Sequence, residues 1–129
     1  MDRPLERILY AEDEPDIQEI AILALETVGG FTVKACASGQ EILDAAEAFK
    51  PDLLLLDVMM PIMDGPTAFQ EIRKQPGTET VPVIFMTAKV QPQEVEGYKA
   101  MGAWEVIAKP FDPMTLADQI RQIWEKRAE

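Results

Sequence analysis

Asp52-Leu53-Leu54-Leu55-Leu56-Asp57-Val58-Met59-Met60-Pro61 is the stretch that decides the fold. Four consecutive leucines between two aspartates are too few for a helix of ordinary length and show no polar alternation. A short continuous apolar run reads as a strand buried on both faces. Outward from it, runs of the same character recur at Ile8–Ala11, Phe31–Cys36, Val83–Met86 and Glu105–Ala108, with helix-length amphipathic segments between them. Strands alternating with helices predict an α/β fold, a parallel sheet covered by helices on both sides, with the βα unit repeated five times.

Helix starts carry matching punctuation. Pro15, Pro66, Pro92 and Pro113 each fit a first helical position, where a missing N–H costs nothing. Ser38 with Glu41 predicts a capping box, and Asp112 an N-cap for a last helix striped by Leu116, Ile120, Ile123 and Trp124. Gly29-Gly30 and Gly102 suit helix exits, and Gln75-Pro76-Gly77-Thr78 a loop.

The chain has 129 residues, 47% of them hydrophobic, which suits one domain spanning 1–129 with an ordinary core. With Cys36 as the single cysteine and no histidine, a disulfide framework, cysteine-based zinc sites and histidine catalysis are excluded. A net charge of −11, from 12 basic against 23 acidic residues, argues against direct nucleic-acid binding. Met1 to Asp16 lacks the apolar run of a signal peptide, and Leu53 to Met63 is too short and too interrupted to span a bilayer. The expectation is a soluble cytoplasmic protein without membrane partners.

In a parallel α/β sheet, ligands bind beyond the carboxyl ends of the strands. Glu12 and Asp13 follow the first strand, Asp57 ends the third, Thr87 the fourth, and Lys109 the fifth. A carboxylate closing a leucine strand is costly to desolvate unless cations meet it, and further carboxylates nearby add repulsion. Oxygen ligands suit Mg²⁺, and Lys109 can supply a second positive charge. The same set suits phosphoryl transfer, with Asp57 as nucleophile and Mg²⁺, Lys109 and Thr87 each contacting a phosphoryl oxygen. No GxxxxGK or GxGxxG loop is present, so the phosphoryl donor is expected to be a partner or a small molecule.

Over nearly its whole length the sequence resembles the receiver domain of bacterial two-component response regulators, in the manner of a stand-alone, chemotaxis-type receiver. The motifs are Ile8-Leu9-Tyr10-Ala11-Glu12-Asp13-Glu14-Pro15, Asp52 to Pro61 with Asp64-Gly65, Thr87-Ala88, and Lys109-Pro110-Phe111. The resemblance implies a flavodoxin-like three-layer sandwich with strand order 2-1-3-4-5. It implies Asp57 as phosphoacceptor, Glu12, Asp13, Asp57 and the Met59 carbonyl around Mg²⁺, Thr87 and Lys109 on the phosphoryl group, and a cis Lys109–Pro110 bond. It also implies a histidine kinase or histidine phosphotransfer domain as donor, facing the first helix around Asp16, Ile17 and Ile20. A downstream protein partner, or a second copy in a homodimer, would meet a face from the fourth helix to the fifth, outlined by Tyr98, Lys99, Trp104 and Val106.

Two positions depart from the family pattern. Val106 stands where tyrosine or phenylalanine is common, so coupled motion of the threonine and an aromatic ring cannot operate in its usual form. Glu12 replaces the commoner aspartate, one methylene longer. Met59 and Lys89 occupy positions that tune phosphoryl lifetime in the family. Cys36 is expected in the core; Met59, Met60 and Met63 fit either a docking surface or gap-filling; Trp104 is expected to be more exposed than core.

The leading expectation is a non-enzymatic phosphoacceptor switch of a phosphorelay, with at most slow self-dephosphorylation. A Mg²⁺-dependent phosphohydrolase would need a second acid two residues after the nucleophile, where Met59 stands. A docking module with a vestigial pocket is disfavoured by the intact set of Asp57, Thr87 and Lys109.

Overall fold

A computed structural model describes residues 4–127. Five parallel strands form one sheet: β1 (Arg7–Ala11), β2 (Thr32–Cys36), β3 (Leu53–Asp57), β4 (Val83–Thr87) and β5 (Glu105–Ala108), in the order β2-β1-β3-β4-β5. The helices between and after them are α1 (Pro15–Ile22), α2 (Gly39–Phe49), α3 (Gly65–Ile72), α4 (Pro92–Ala100) and α5 (Leu116–Arg127). α1 runs straight on into a π-helical stretch over Leu23–Val28.

Period-two alternation divides the strand residues between two cores. Ile8, Tyr10, Leu53, Leu55, Ile84 and Met86 pack with Ala21, Leu25, Leu116, Ile120 and Trp124, beneath α1 and α5. Leu9, Ala11, Leu54, Leu56, Val83 and Phe85 pack with Ile42, Ala46, Phe69 and Ile72, beneath α2 and α3. All four leucines of β3 are fully buried, each worth about 1.5–3 kcal/mol. β3 is the central strand, which is why it carries no polar alternation. β2 lies at the edge, and there Thr32 and Lys34 alternate with the more buried Val33, Ala35 and Cys36. The expectation of two covered faces holds for the inner strands and not for this one.

Helix caps follow the sequence with two shifts. Ser38 Oγ accepts the Glu41 amide at 3.2 Å, while the Glu41 carboxylate accepts the Ala37 amide at 2.9 Å. Asp64 caps α3 by accepting the Thr67 amide at 2.9 Å. That cap makes Gly65 the first helical residue and moves Pro66 to the second, where its amide is still not needed. A Cβ at Gly65 would press into the carbonyl oxygen of Asp57, so the start of α3 can lie against β3 only with glycine there. Pro113 does not open the last helix. The Asp112 side chain accepts the Met114 amide at 2.9 Å, and its carbonyl accepts the amides of Thr115 and Leu116. Pro113 therefore sits in a turn, and α5 begins at Leu116.

Cys36 is buried at the end of β2, and burial, reinforced by the charge of Glu41, pushes its thiol up to about 11. A buried neutral thiol is a poor nucleophile. Folded protein at pH 7 is expected to resist alkylation by iodoacetamide over hours and to react fully in denaturing urea; mass spectrometry counts the adduct, and rapid labelling of the folded protein would contradict this placement.

Candidate functional site

The alternation that builds the core under α1 and α5 also aims three charged side chains at one point. Glu12 follows Tyr10, Asp57 follows Leu55, and Lys109 follows Ile107, each two residues further along its strand. The ladder continues beyond the strand ends to hold them: the Glu12 amide donates to the Cys36 carbonyl at 3.0 Å, and the Lys109 amide to the Thr87 carbonyl at 2.9 Å. Lys109 Nζ then reaches Glu12 Oε1 at 2.9 Å and Asp57 Oδ2 at 3.3 Å. Glu12 is 0% exposed and Asp57 3%. Asp13 lies half-buried beside them, and ligand oxygens of Glu12, Asp13 and Asp57 all fall within 4.8 Å of one another.

The remaining polar atoms are matched locally. Glu12 Oε2 accepts the Glu14 amide at 3.2 Å and Asp57 Oδ1 the Met59 amide at 3.3 Å. Thr87, 1% exposed, accepts the Lys89 amide on its hydroxyl at 3.1 Å. The Lys109–Pro110 bond is cis. Two features carry no sequence signal. Gln18, an ordinary helical glutamine by pattern, donates from Nε2 to the carbonyls of Glu12 at 3.0 Å and Cys36 at 3.1 Å, bridging the ends of β1 and β2. Tyr10 is fully buried two residues before Glu12, and among the described residues its hydroxyl has no partner. Burial, then the charges of Glu12 and Asp57, raise its pKa above the usual phenol range.

Around this pocket the three methionines separate: Met59 is 63% exposed, Met60 is buried, and Met63 lies against Gly39. A shallow apolar cleft of about 150 Å³, lined by Ile17, Ile20, Lys109, Pro110, Phe111 and Pro113, adjoins it. On the opposite face of the sheet Val106 is paired in register with Phe85, whose ring meets Tyr98 of α4 edge-on at 5.5 Å. Trp104 is not mainly exposed, as its place in a connection suggested. It is half-buried against Trp124 of α5, with ring centroids 5.7 Å apart.

The family model for the response regulator receiver domain matches residues 8–121. The chain belongs to the response regulator receiver domain family. The receiver is 39% identical over 116 residues to the transcriptional regulatory protein CseB of Streptomyces avermitilis, covering 90% of this chain and 48% of that protein. It is 33% identical to the DNA-binding response regulator MtrA of Mycolicibacterium smegmatis, covering 94% and 51% respectively. The chain thus spans about half the length of the curated relatives it matches. Among solved structures, the chemotaxis protein CheY4 of Vibrio cholerae superposes with a TM-score of 0.84 at 28% identity, covering 92% of this chain and 98% of that one. A putative response regulator from Chloroflexus aurantiacus gives 0.82 at 31%, covering 95% and 99%. The five-stranded order 2-1-3-4-5 is the flavodoxin-like arrangement of these receivers. No helix among the described residues is long and apolar enough to cross a membrane.

Receiver domains bind Mg²⁺ at an acidic pocket, and the oxygen-only cluster of Glu12, Asp13 and Asp57 fits a hard divalent cation. Without one, Glu12 and Asp57 share the Lys109 ammonium, and Asp13 adds a third carboxylate beside them. Burial, opposed by the Lys109 hydrogen bond and seconded by the Asp57 charge, raises the Glu12 pKa above its usual value. For Lys109 burial works against the ammonium, but the Glu12 hydrogen bond and the Asp57 charge outweigh it and raise its pKa. The signs follow by linkage. Lys109 stabilises the fold at any pH below its unfolded value, and that contribution is lost only as the pH rises through its folded one. Glu12, being raised, favours the folded state when protonated, so its metal-free contribution worsens as the pH climbs through its folded value. Removing one charge relieves the same repulsion. Asp57→Asn is expected to raise stability in EDTA at pH 7 by about 1 kcal/mol, with a smaller gain in saturating Mg²⁺. Urea melts with and without metal check this, and a variant less stable than wild type in EDTA would show that the carboxylates are not in conflict.

Proposed function

We propose that this receiver domain accepts a phosphoryl group on Asp57 from a phosphohistidine of a histidine kinase or histidine phosphotransfer domain, and that the modified domain binds a downstream protein. The observation that carries this reading is the convergence of Asp57 and Lys109 at 3.3 Å in a pocket at the carboxyl ends of the strands, with Glu12 and Asp13 beside them.

An Asp57 carboxylate oxygen attacks phosphorus, the donor's N–P bond breaks, and the imidazole leaves carrying the bonding pair and takes up a proton. Lys109 is already the counter-ion of Asp57 and moves with the charge onto a phosphoryl oxygen. The buried Thr87 hydroxyl has its own hydrogen free to donate while it accepts from Lys89. The Met59 amide, which bonds Asp57 Oδ1, orients the acceptor. Glu12, Asp13, Asp57 and the Met59 carbonyl would hold Mg²⁺, which supplies charge neutralisation to the phosphoryl oxygens.

The apolar cleft of Ile17, Ile20 and Phe111 beside Lys109 suits the donor, since it brings a protein surface to the acceptor without covering it. The output face is assigned to α4, β5 and α5, where Tyr98, Trp104 and Val106 are half-buried and within reach of a partner or a second copy. Two residues after Asp57 the exposed Met59 side chain offers no base for water, which favours a switch over a turnover enzyme.

Incubation with acetyl phosphate and Mg²⁺ is expected to add one phosphoryl group to the wild type, seen by intact mass, and none to Asp57→Asn. Lys109→Ala is expected to keep reduced uptake, of at most about a tenth of the wild-type rate, and to lose the change in partner affinity. An adduct of equal yield on Asp57→Asn would place the acceptor elsewhere.

A further inference from the structure

We infer that Gln18 is a positioning residue for the metal-binding loop: its side-chain amide sets the orientation in which Asp13 meets Mg²⁺. This rests on the metal-site reading given above.

Strand ends leave carbonyls without ladder partners, and a primary amide has two hydrogens to give. Gln18 Nε2 gives one to the Glu12 carbonyl at 3.0 Å and one to the Cys36 carbonyl at 3.1 Å. The Glu12 amide donates to that same Cys36 carbonyl at 3.0 Å, and the Gln18 amide to the Glu14 carbonyl at 2.9 Å. The loop from Glu12 to Gln18 is thereby closed on itself and fastened to the adjacent strand.

The geometry bears on one ligand in particular. Glu12 has its own anchors, Lys109 on one oxygen and the Glu14 amide on the other. Asp57 has Lys109 and the Met59 amide. The Asp13 carboxylate has no hydrogen bond among the described residues, so nothing acting on the side chain itself holds it in place. Its direction is set by its backbone, and the peptide plane that leads into Asp13 is the Glu12 carbonyl that Gln18 pins. A planar amide held at its oxygen is restrained in its rotation, and that limits the directions from which the Asp13 backbone and side chain set out.

Loss of the Gln18 donors frees the Glu12 carbonyl, while the Cys36 carbonyl keeps the Glu12 amide, so the ladder between β1 and β2 stays closed. The fold then persists while the ligand set loosens. Groups that orient ligands from behind cost metal affinity when removed, which is the signature to look for.

The test is calorimetric titration of Mg²⁺ into the full chain for wild type, Gln18→Met, which matches the volume without donors, and Gln18→Arg, which restores donors. Thermal unfolding in EDTA monitors the fold. Gln18→Met is expected to bind Mg²⁺ about tenfold more weakly with an unchanged melting temperature, and Gln18→Arg to recover most of that loss. Phosphoryl uptake from acetyl phosphate by Gln18→Met should shift about tenfold to higher Mg²⁺ and reach the wild-type maximum rate. If Gln18→Met does not fold, Gln18→Asn, too short to span both carbonyls, takes its place with the same expectations. Equal Mg²⁺ affinity in wild type and variant overturns the inference, as does a fall in maximum rate with no shift in Mg²⁺ dependence. A wild type that binds no Mg²⁺ overturns the metal-site reading and this inference with it; a wild type that binds while Gln18→Met binds equally overturns the positioning role alone.

Discussion

The sheet is organised around a buried carboxyl group at the end of its most apolar strand. β3 buries four leucines in succession, and Asp57 closes the run while 3% exposed. Such a charge is tolerable only if a cation reaches it. The cation comes from β5, two strands away, because Lys109 is long enough to pass over the end of β4. Its contact with Glu12 reaches further, to the end of β1. One ammonium therefore ties three of the five strands together at their carboxyl ends. The side-chain alternation that fills the core under α1 and α5 is what places all three groups on the same side. Packing and charge placement are two readings of one register.

That arrangement is not optimised for stability. Glu12 is buried with a raised pKa, Lys109 is partly desolvated, and Asp13 adds a third carboxylate with no hydrogen-bond partner among the described residues. Residual negative charge in a pocket is a cost that structure alone gives no reason to keep, and a divalent cation there would relieve it. The fold holds it by surrounding it with rigid supports. The ladder bonds beyond the strand ends, the Gly65 contact with the Asp57 carbonyl, and the amides of Glu14 and Met59 all act on backbone next to the charges.

Much of this was legible in the sequence because the inner strands carry unambiguous patterns. The four leucines, the strand-end positions of Glu12, Asp57, Thr87 and Lys109, and the prolines and caps at three helix starts each follow from local rules. What was not legible depends on tertiary neighbours. Nothing local says that β2 takes an edge, where Lys34 faces solvent, or that Asp112 spends its hydrogen bonds on a turn and delays α5 past Pro113. The fates of Met59, Met60 and Met63 depend on a loop in which Ile62 adopts φ 70°, a backbone state that no pattern in Pro61-Ile62-Met63 announces for a β-branched residue. Trp104 is half-buried because α5 brings Trp124 to it from twenty residues away. Gln18 was invisible for the same reason: its two acceptors belong to β1 and β2, and only the fold brings them together.

The helices differ in how firmly they are held. α2, α3 and α5 each bury several side chains, whereas α4 buries none. α4 is held by the edge contact of Tyr98 with Phe85 and by the Lys99–Glu105 ion pair at 3.1 Å. An exposed pair of that kind is worth about 0–1 kcal/mol, and an aromatic edge contact about 0.5–1.5 kcal/mol beyond its buried area. Displacing α4 therefore costs less than displacing α2, α3 or α5. Val106 pairs in register with Phe85, and it is Phe85 that Tyr98 of α4 meets edge-on. The aromatic contact nearest the end of β4 thus belongs to a helix that buries no side chain fully. Thr87 stands two residues from Phe85 on the same strand, so the weak contacts that hold α4 begin beside the strand end that carries the site.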